Sequence, residues 1–224
     1  MARYHWSATI GKTVIFSEGR ENMGSTNRIV LVCLLLTLSG CATYQPTKVD
    51  NICHIFHGET DWYEAARDSQ KKWGTPIWVM MAIMHQESRF VSDAKPERDW
   101  FLFIPLPRRS SAYGYAQAQN PAWEDFIKQT GARGHDRDDF DDAIDFIGWY
   151  TDVTKKTLGI SKWDAYAQYL AYHEGRGGYK SGSWKKKPWL KKVALKVKSR
   201  SASYNAQLKQ CKTKLDDEVD SWFF

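Results

Sequence analysis

The sequence predicts a mainly α-helical single domain, and three observations carry the prediction. From Glu59 onward, apolar residues recur at i, i+3 and i+4 over successive stretches. Those stretches stop at Gly74, Gly131 and Gly159, residues suited to the left-handed turn that ends a helix. No convincing strand hairpin, repeat or low-complexity tract interrupts them.

Each helix has its own signals. Trp62, Ala65, Ala66, Ser69 and Trp73 share one face of the first, which Gly74 ends. Thr75-Pro76 reads as a cap and first-turn proline for the apolar run Ile77 to Met84. That run is too short to cross a bilayer and so predicts a core helix. Asn120-Pro121 starts a third helix, with Trp123, Phe126 and Ile127 on its apolar side. Asp139 to Leu158 forms a fourth along the stripe Phe140, Ala143, Ile144, Ile147 and Tyr150. Ser161-Lys162-Trp163-Asp164 resembles a capping box for the helix of Ala165, Tyr169 and Tyr172. A basic helix, Lys185 to Arg200, follows, with Trp189, Val193, Ala194 and Val197 as its apolar face. Ala42 to Gly58, by contrast, contains Gln45-Pro46-Thr47 and little periodicity, and reads as a short tether.

The chain has 224 residues and a net charge of +6, enough for one ordinary core and mildly basic. Such a balance suits an anionic wall or membrane surface. The run Lys185-Lys186-Lys187 with Lys191 and Lys192 is either a solvated helix face or a binder of anionic polymer or lipid.

Ile29 to Leu38 has the length of a signal-peptide apolar region, with Arg28 before it and Leu38-Ser39-Gly40-Cys41 at its end. The pattern resembles a bacterial lipobox, which implies lipidation of Cys41 and a membrane anchor there. Ala42 after the cysteine fits an outer-membrane lipoprotein facing the periplasm of the cell envelope. Met1 to Asn22 is unusual ahead of such a segment, so translation is expected to begin at Met23. Residues 1–40 are thus an upstream segment and signal peptide, and 41–58 the lipidated cysteine and tether. Residues 59–215 are the domain, and 216–224 a tail. Export also bears on Cys53 and Cys211, which lie near the two ends of that domain. They are either a disulfide, worth ~3–5 kcal/mol in the chain-entropy description, or two buried thiols. The exported setting argues against nucleic acid as a partner.

The chemistry centres on Glu87, which ends the apolar helix in His85-Gln86-Glu87-Ser88-Arg89-Phe90. A carboxyl at the end of a buried helix is partly desolvated, which raises its pKa and fits it to donate a proton near neutrality. The bland alternative is a solvated or ion-paired glutamate. His85 reads as a satisfied core histidine.

Two further segments decide between these, Gly114-Tyr115-Ala116-Gln117 and Ala171-Tyr172-His173-Glu174-Gly175. With Glu87-Ser88 they resemble, in order, the E-S, G-L-M-Q and A-Y-N-A-G motifs of the lysozyme-like lytic transglycosylases. The likeness spans roughly Glu59 to Cys211. It implies a goose-type-lysozyme-like, SLT-type helical domain that cleaves peptidoglycan glycan strands without metal or cofactor. Glu87 would be the catalytic residue. Substrate contacts would come from Ser88, Gly114, Tyr115, Gln117, Tyr172, Glu174 and, near the end of the basic helix, Tyr204. By this resemblance, Gly114 lets the backbone approach the sugar.

Three departures from the family pattern stand out. Tyr115-Ala116 replaces Leu-Met, and His173-Glu174 replaces Asn-Ala. The stretch Asp93 to Arg109 is longer than simple members need. Glu174 is a substrate contact, a second carboxylate favouring hydrolysis, or an ion-pair partner of Arg176 or Arg89. The competing functions are a muramidase that hydrolyses the same bond and a catalytically silent glycan-binding module.

Overall fold

The computed structural model describes residues 43–221, apart from the side chains of Trp100, Phe101 and Ile104. The expected leader, the start at Met23 and the lipidated Cys41 lie outside these residues. Seven α-helices are found among them: α1 (Ile52–Gly58), α2 (Thr60–Trp73), α3 (Ile77–Glu87), α4 (Asn120–Thr130), α5 (Phe140–Leu158), α6 (Ala165–Ser181) and α7 (Pro188–Asp220). The mainly helical class expected from periodicity holds.

Helix α3 is the centre. Val79 to Met84 have no exposed surface, because the helix is apolar all round and is packed by α5, α6 and α7. Each such Met, Ile or Val stabilises the fold by ~1.5–3 kcal/mol relative to an exposed position. Helix α7 is the spine. Its buried stripe, from Leu190 and Ala194 through Tyr204, Leu208 and Cys211 to Val219, lies against α1, α2, α3 and α6. An aromatic cluster joins α2, α5 and the loop after Gly114. Trp62 stacks on Phe140 at 4.0 Å, and Tyr115 meets both rings edge-on at 5.5 and 5.8 Å.

Four expectations need correction. The tether contains a helix, α1, capped by Asn51 and burying Ile52, Ile55 and Phe56. It holds through tertiary bonds: the Cys53–Cys211 disulfide, and the Ile52 amide donating to Gln207 Oε1 at 2.9 Å. The supposed tail from residue 216 continues α7 to Asp220. A hairpin does exist, β1 (Trp100–Phe101) paired antiparallel with β2 (Ile104–Pro105). Two-residue strands are too short to show alternation. Finally, both caps are displaced. Thr75 shares a buried hydroxyl–hydroxyl bond of 2.7 Å with Thr151, while Gln70 Oε1 accepts from the Ile77 amide. Asp164, not Ser161, caps α6 by accepting from the Ala167 amide at 3.1 Å.

Candidate active site

Glu87 is the last residue of α3, where the apolar helix runs out at the face of α6. The residue is half-buried, yet its Oε1 is shut off from solvent and has no hydrogen-bond partner. Burial pushes its carboxyl up to about 7, opposed by the Tyr169 hydroxyl beside it. Tyr172, one helical turn after Tyr169, is the second neighbour. Burial and then the Glu87 charge hold its phenol far above the ordinary value. Among the described residues, no basic side chain is within ion-pair distance of Glu87. The carboxyl therefore stays largely protonated at pH values below about 7, where it is a ready proton donor.

Ser88 finishes the helix. Its hydroxyl accepts from the Phe90 amide at 3.1 Å, and Arg89 and Phe90 take left-handed backbone. With Ser88 itself only 8% exposed, its hydroxyl shapes the turn beside Glu87.

The loop of the second motif reaches the cleft through backbone geometry. Gly114 has φ +76°, and a Cβ there would lie 1.9 Å from the Arg137 carbonyl oxygen. That glycine is required by a protein contact, where the resemblance implied approach to a sugar. The Arg137 carbonyl accepts from the Tyr115 amide, and its guanidinium donates to the Ser111 and Ala118 carbonyls. Arg137 is thus the brace of this loop, a role without a motif signal. Tyr115 is 1% exposed inside the aromatic cluster, so its ring fills the core and does not line the cleft. Gln117 has φ +48° and donates from Nε2 to the Ala94 and Gly114 carbonyls at 2.8 and 2.9 Å. Both amide hydrogens are used, which leaves its carbonyl oxygen for a ligand.

A cavity of about 290 Å³ lies between this loop, the start of α4 and α6. Gln117, Pro121, Tyr150, Tyr172, Glu174 and Gly175 are among its lining residues. The Tyr172 hydroxyl crosses one side and donates to the Ala116 carbonyl at 2.6 Å. Gly175 breaks α6 with φ 71° and ψ 158°, a conformation closed to most other residues.

Glu174 sits at that kink in a different setting. Its side chain is 5% exposed, and Oε1 accepts from Lys187 Nζ at 2.7 Å while Oε2 accepts from the Ser183 hydroxyl. These bonds hold its carboxyl below the usual range. The ion-pair reading is the one the structure supports, with Lys187 in place of the expected Arg176 or Arg89. Arg176 lies over the Tyr150 ring at 4.6 Å.

Tyr204 is remote from the cleft in function. It is fully buried in α7 and donates to the Val49 carbonyl, fastening the segment before α1. The structure therefore gathers Glu87, Gln117, Tyr172 and Glu174 around one region, and gives Tyr115 and Tyr204 to the core. Tyr169 was the residue missed. Its spacing of three from Tyr172 puts both on one helix face, and that was the available signal.

A mainly helical domain built around a central helix that ends in a desolvated carboxylic acid fits the lysozyme-like class. The chain belongs to the transglycosylase SLT domain family, whose model matches residues 29–211. No curated protein matches the chain. Membership suggests a transglycosylase-type enzyme acting on the peptidoglycan of the cell envelope. Among the described residues, no helix is long and apolar enough to cross a membrane.

Proposed function

We propose that the chain is a peptidoglycan lytic transglycosylase that uses Glu87 first as acid and then as base. The Glu87 proton passes to the oxygen bridging N-acetylmuramic acid and N-acetylglucosamine as that β-1,4 bond breaks. The resulting carboxylate then takes the proton from the muramoyl C6 hydroxyl while its oxygen bonds C1. A 1,6-anhydro ring closes, Glu87 ends protonated as it began, and no water is consumed. The observation that carries this reading is the unpaired, desolvated Glu87 carboxyl beside Tyr169 and Tyr172. Tyr172, Gln117 and the Ser88 turn would position the sugar. Lipidation at Cys41, and with it outer-membrane attachment facing the periplasm, is part of the proposal and rests on the sequence pattern alone.

A hydrolase would want a second free carboxylate to activate water. Glu174 is the carboxylate that shares this region, and its bonds to Lys187 and Ser183 disfavour that use. The test is mass spectrometry of soluble products after the anchor-free domain meets purified sacculi, with Glu87→Gln beside it. Anhydromuropeptides from the unmutated domain only support the proposal. Reducing ends that depend on Glu87 would replace it with a muramidase. Tight retention on sacculi without any product would leave a binding module.

A further inference from the structure

Lys187 apart, the lysine-rich stretch that leads into α7 takes no part in the cleft described above. From Lys185 to Arg200 the chain carries eight Lys or Arg and no Asp or Glu. Lys187 pairs with Glu174 and Arg200 with Asp50, which leaves six of the eight with no carboxylate within ion-pair distance among the described residues. The second half of α7 differs, since Lys212 and Lys214 each pair with an acid one turn on. Interspersed signs are what a solvated face ordinarily shows, and the first half of the helix departs from it.

Charge is not the only signal. Sequence periodicity puts Trp189 on the buried face of α7, yet it is 53% exposed, and Leu195 is 56% exposed. Trp189, Lys192, Lys196, Ser199, Arg200 and Ser203 follow one another at i, i+3, i+7, i+10, i+11 and i+14. They therefore share one side of the helix over ~21 Å. Leu195 stands three residues from Lys192 and four from Ser199, beside that stripe. The far end of the stripe opens into a cavity of about 450 Å³, where α7 faces Gln86 and Arg89 of α3. His85 also lines this cavity, with its Nε2 buried 3.3 Å from Asp50 and without a hydrogen-bond partner. Lys196, Arg200 and Arg89, with two serine hydroxyls and one amide, are the donors that a phosphate group takes. Asp50 is the one carboxylate paired among them.

Chain geometry bears on what lies against this face. Gln45, near the start of the described chain, donates from Nε2 to the Arg89 carbonyl at 3.3 Å. Cys41 is four residues earlier, a reach of at most ~14 Å of extended chain. On the lipidation reading given above, the anchor would enter a bilayer within about that reach of Gln45. A surface that lies on a bilayer needs basic side chains for phosphates and Trp or aliphatic side chains for the acyl boundary, and the stripe offers both. We infer that this side of α7 is a docking surface for an anionic phospholipid bilayer, with a headgroup phosphate held in the cavity between α3 and α7. The choice of a bilayer rests on the lipidation reading, while the binding is tested without the anchor.

Residues 43–224 form one compact unit, so the chain without its leader is the protein to use. It is sedimented with vesicles of phosphatidylglycerol and phosphatidylethanolamine, and separately with vesicles of phosphatidylcholine. Saturable binding to the first and none to the second is expected. Lys192→Gln with Lys196→Gln changes two exposed side chains and should weaken that binding about tenfold. Brominated lipid should quench tryptophan fluorescence, and Trp189→Phe should remove that quenching. No binding, equal binding to neutral vesicles, or a double variant that loses hold of purified sacculi instead of vesicles would overturn the assignment. Soluble dihexanoyl-phosphatidylglycerol should shift the amide NMR signals of Arg89, Ser199 and Ser203. Equal shifts from inorganic phosphate, without vesicle binding, would give the cavity to a free anion and overturn the surface. Labelled palmitate fed to cells making the full chain keeps the two readings apart. Vesicle binding with no label on Cys41 would sink the anchor and leave the surface standing, and label without vesicle binding would sink the surface alone.

Discussion

Glu87 and Glu174 are both shielded carboxylates in matched motifs on neighbouring helices, and they behave in opposite ways. Glu87 ends α3 with a buried oxygen and no cation, and its carboxyl is pushed up to about 7. Glu174 is as shielded as a core side chain, yet Lys187 and Ser183 hold its carboxyl low. Burial alone does not set protonation. What decides it is whether the buried group meets a cation or only phenols.

That contrast is sharpest in turnover. Glu87→Gln should lower the rate on sacculi by at least ~100-fold, the usual worth of a positioned general acid, as read by anhydromuropeptide release. Glu174→Gln should act mainly on stability. Losing the charge that Lys187 and Ser183 address costs about 2 kcal/mol, seen as a fall in Tm of ~4–8 °C with the reaction product unchanged. A change of product from anhydro to reducing ends would break the contrast and give Glu174 a catalytic part.

The pH dependence separates the two residues further. A carboxyl raised in the fold, as at Glu87, contributes stability that is complete below its ordinary value of 4.5 and is lost as pH climbs through about 7. Glu174 is the reverse, contributing stability above 4.5 that is lost as pH falls below it. Thermal melts across pH should show Glu87→Gln flattening the loss toward alkaline pH, by up to ~3 kcal/mol. Glu174→Gln should flatten the loss toward acid. The rate should likewise fall as pH rises through about 7, when Glu87 gives up its proton. The smallest effect is expected from Tyr172→Phe. It leaves the ring and removes one bond to the Ala116 carbonyl, ~1 kcal/mol, and should alter the rate by about fivefold or less.

Much of this arrangement was legible in the chain. Helices α2, α4 and α5 were readable because their apolar stripes end at Gly74, Gly131 and Gly159, each left-handed in the structure, and α3 because of its continuous apolar run. Glu87 was readable because an apolar helix leaves little water for a carboxyl at its end. Helix α1 was not, since seven residues have no periodicity to show and their support comes from residues 207 and 211. The site was legible as motifs but not as contacts. Tyr115 sits in a matched motif yet turns inward among Trp62 and Phe140, a choice made by tertiary packing. The partner of Glu174 was hidden for a related reason. Lys187 is thirteen positions on, beyond the reach of helical spacing, and meets it because the 3-10 turn Ser183–Lys186 folds the chain back.

The Cys53–Cys211 bond has a mechanical consequence. Tension applied between the two ends of the described chain runs along the shortest covalent route, from residue 53 across the sulfurs to residue 211. Everything from residue 54 to residue 210, Glu87 and Tyr172 included, hangs off that route as a closed loop. A pull on this molecule would be carried past the cleft and leave its geometry unloaded.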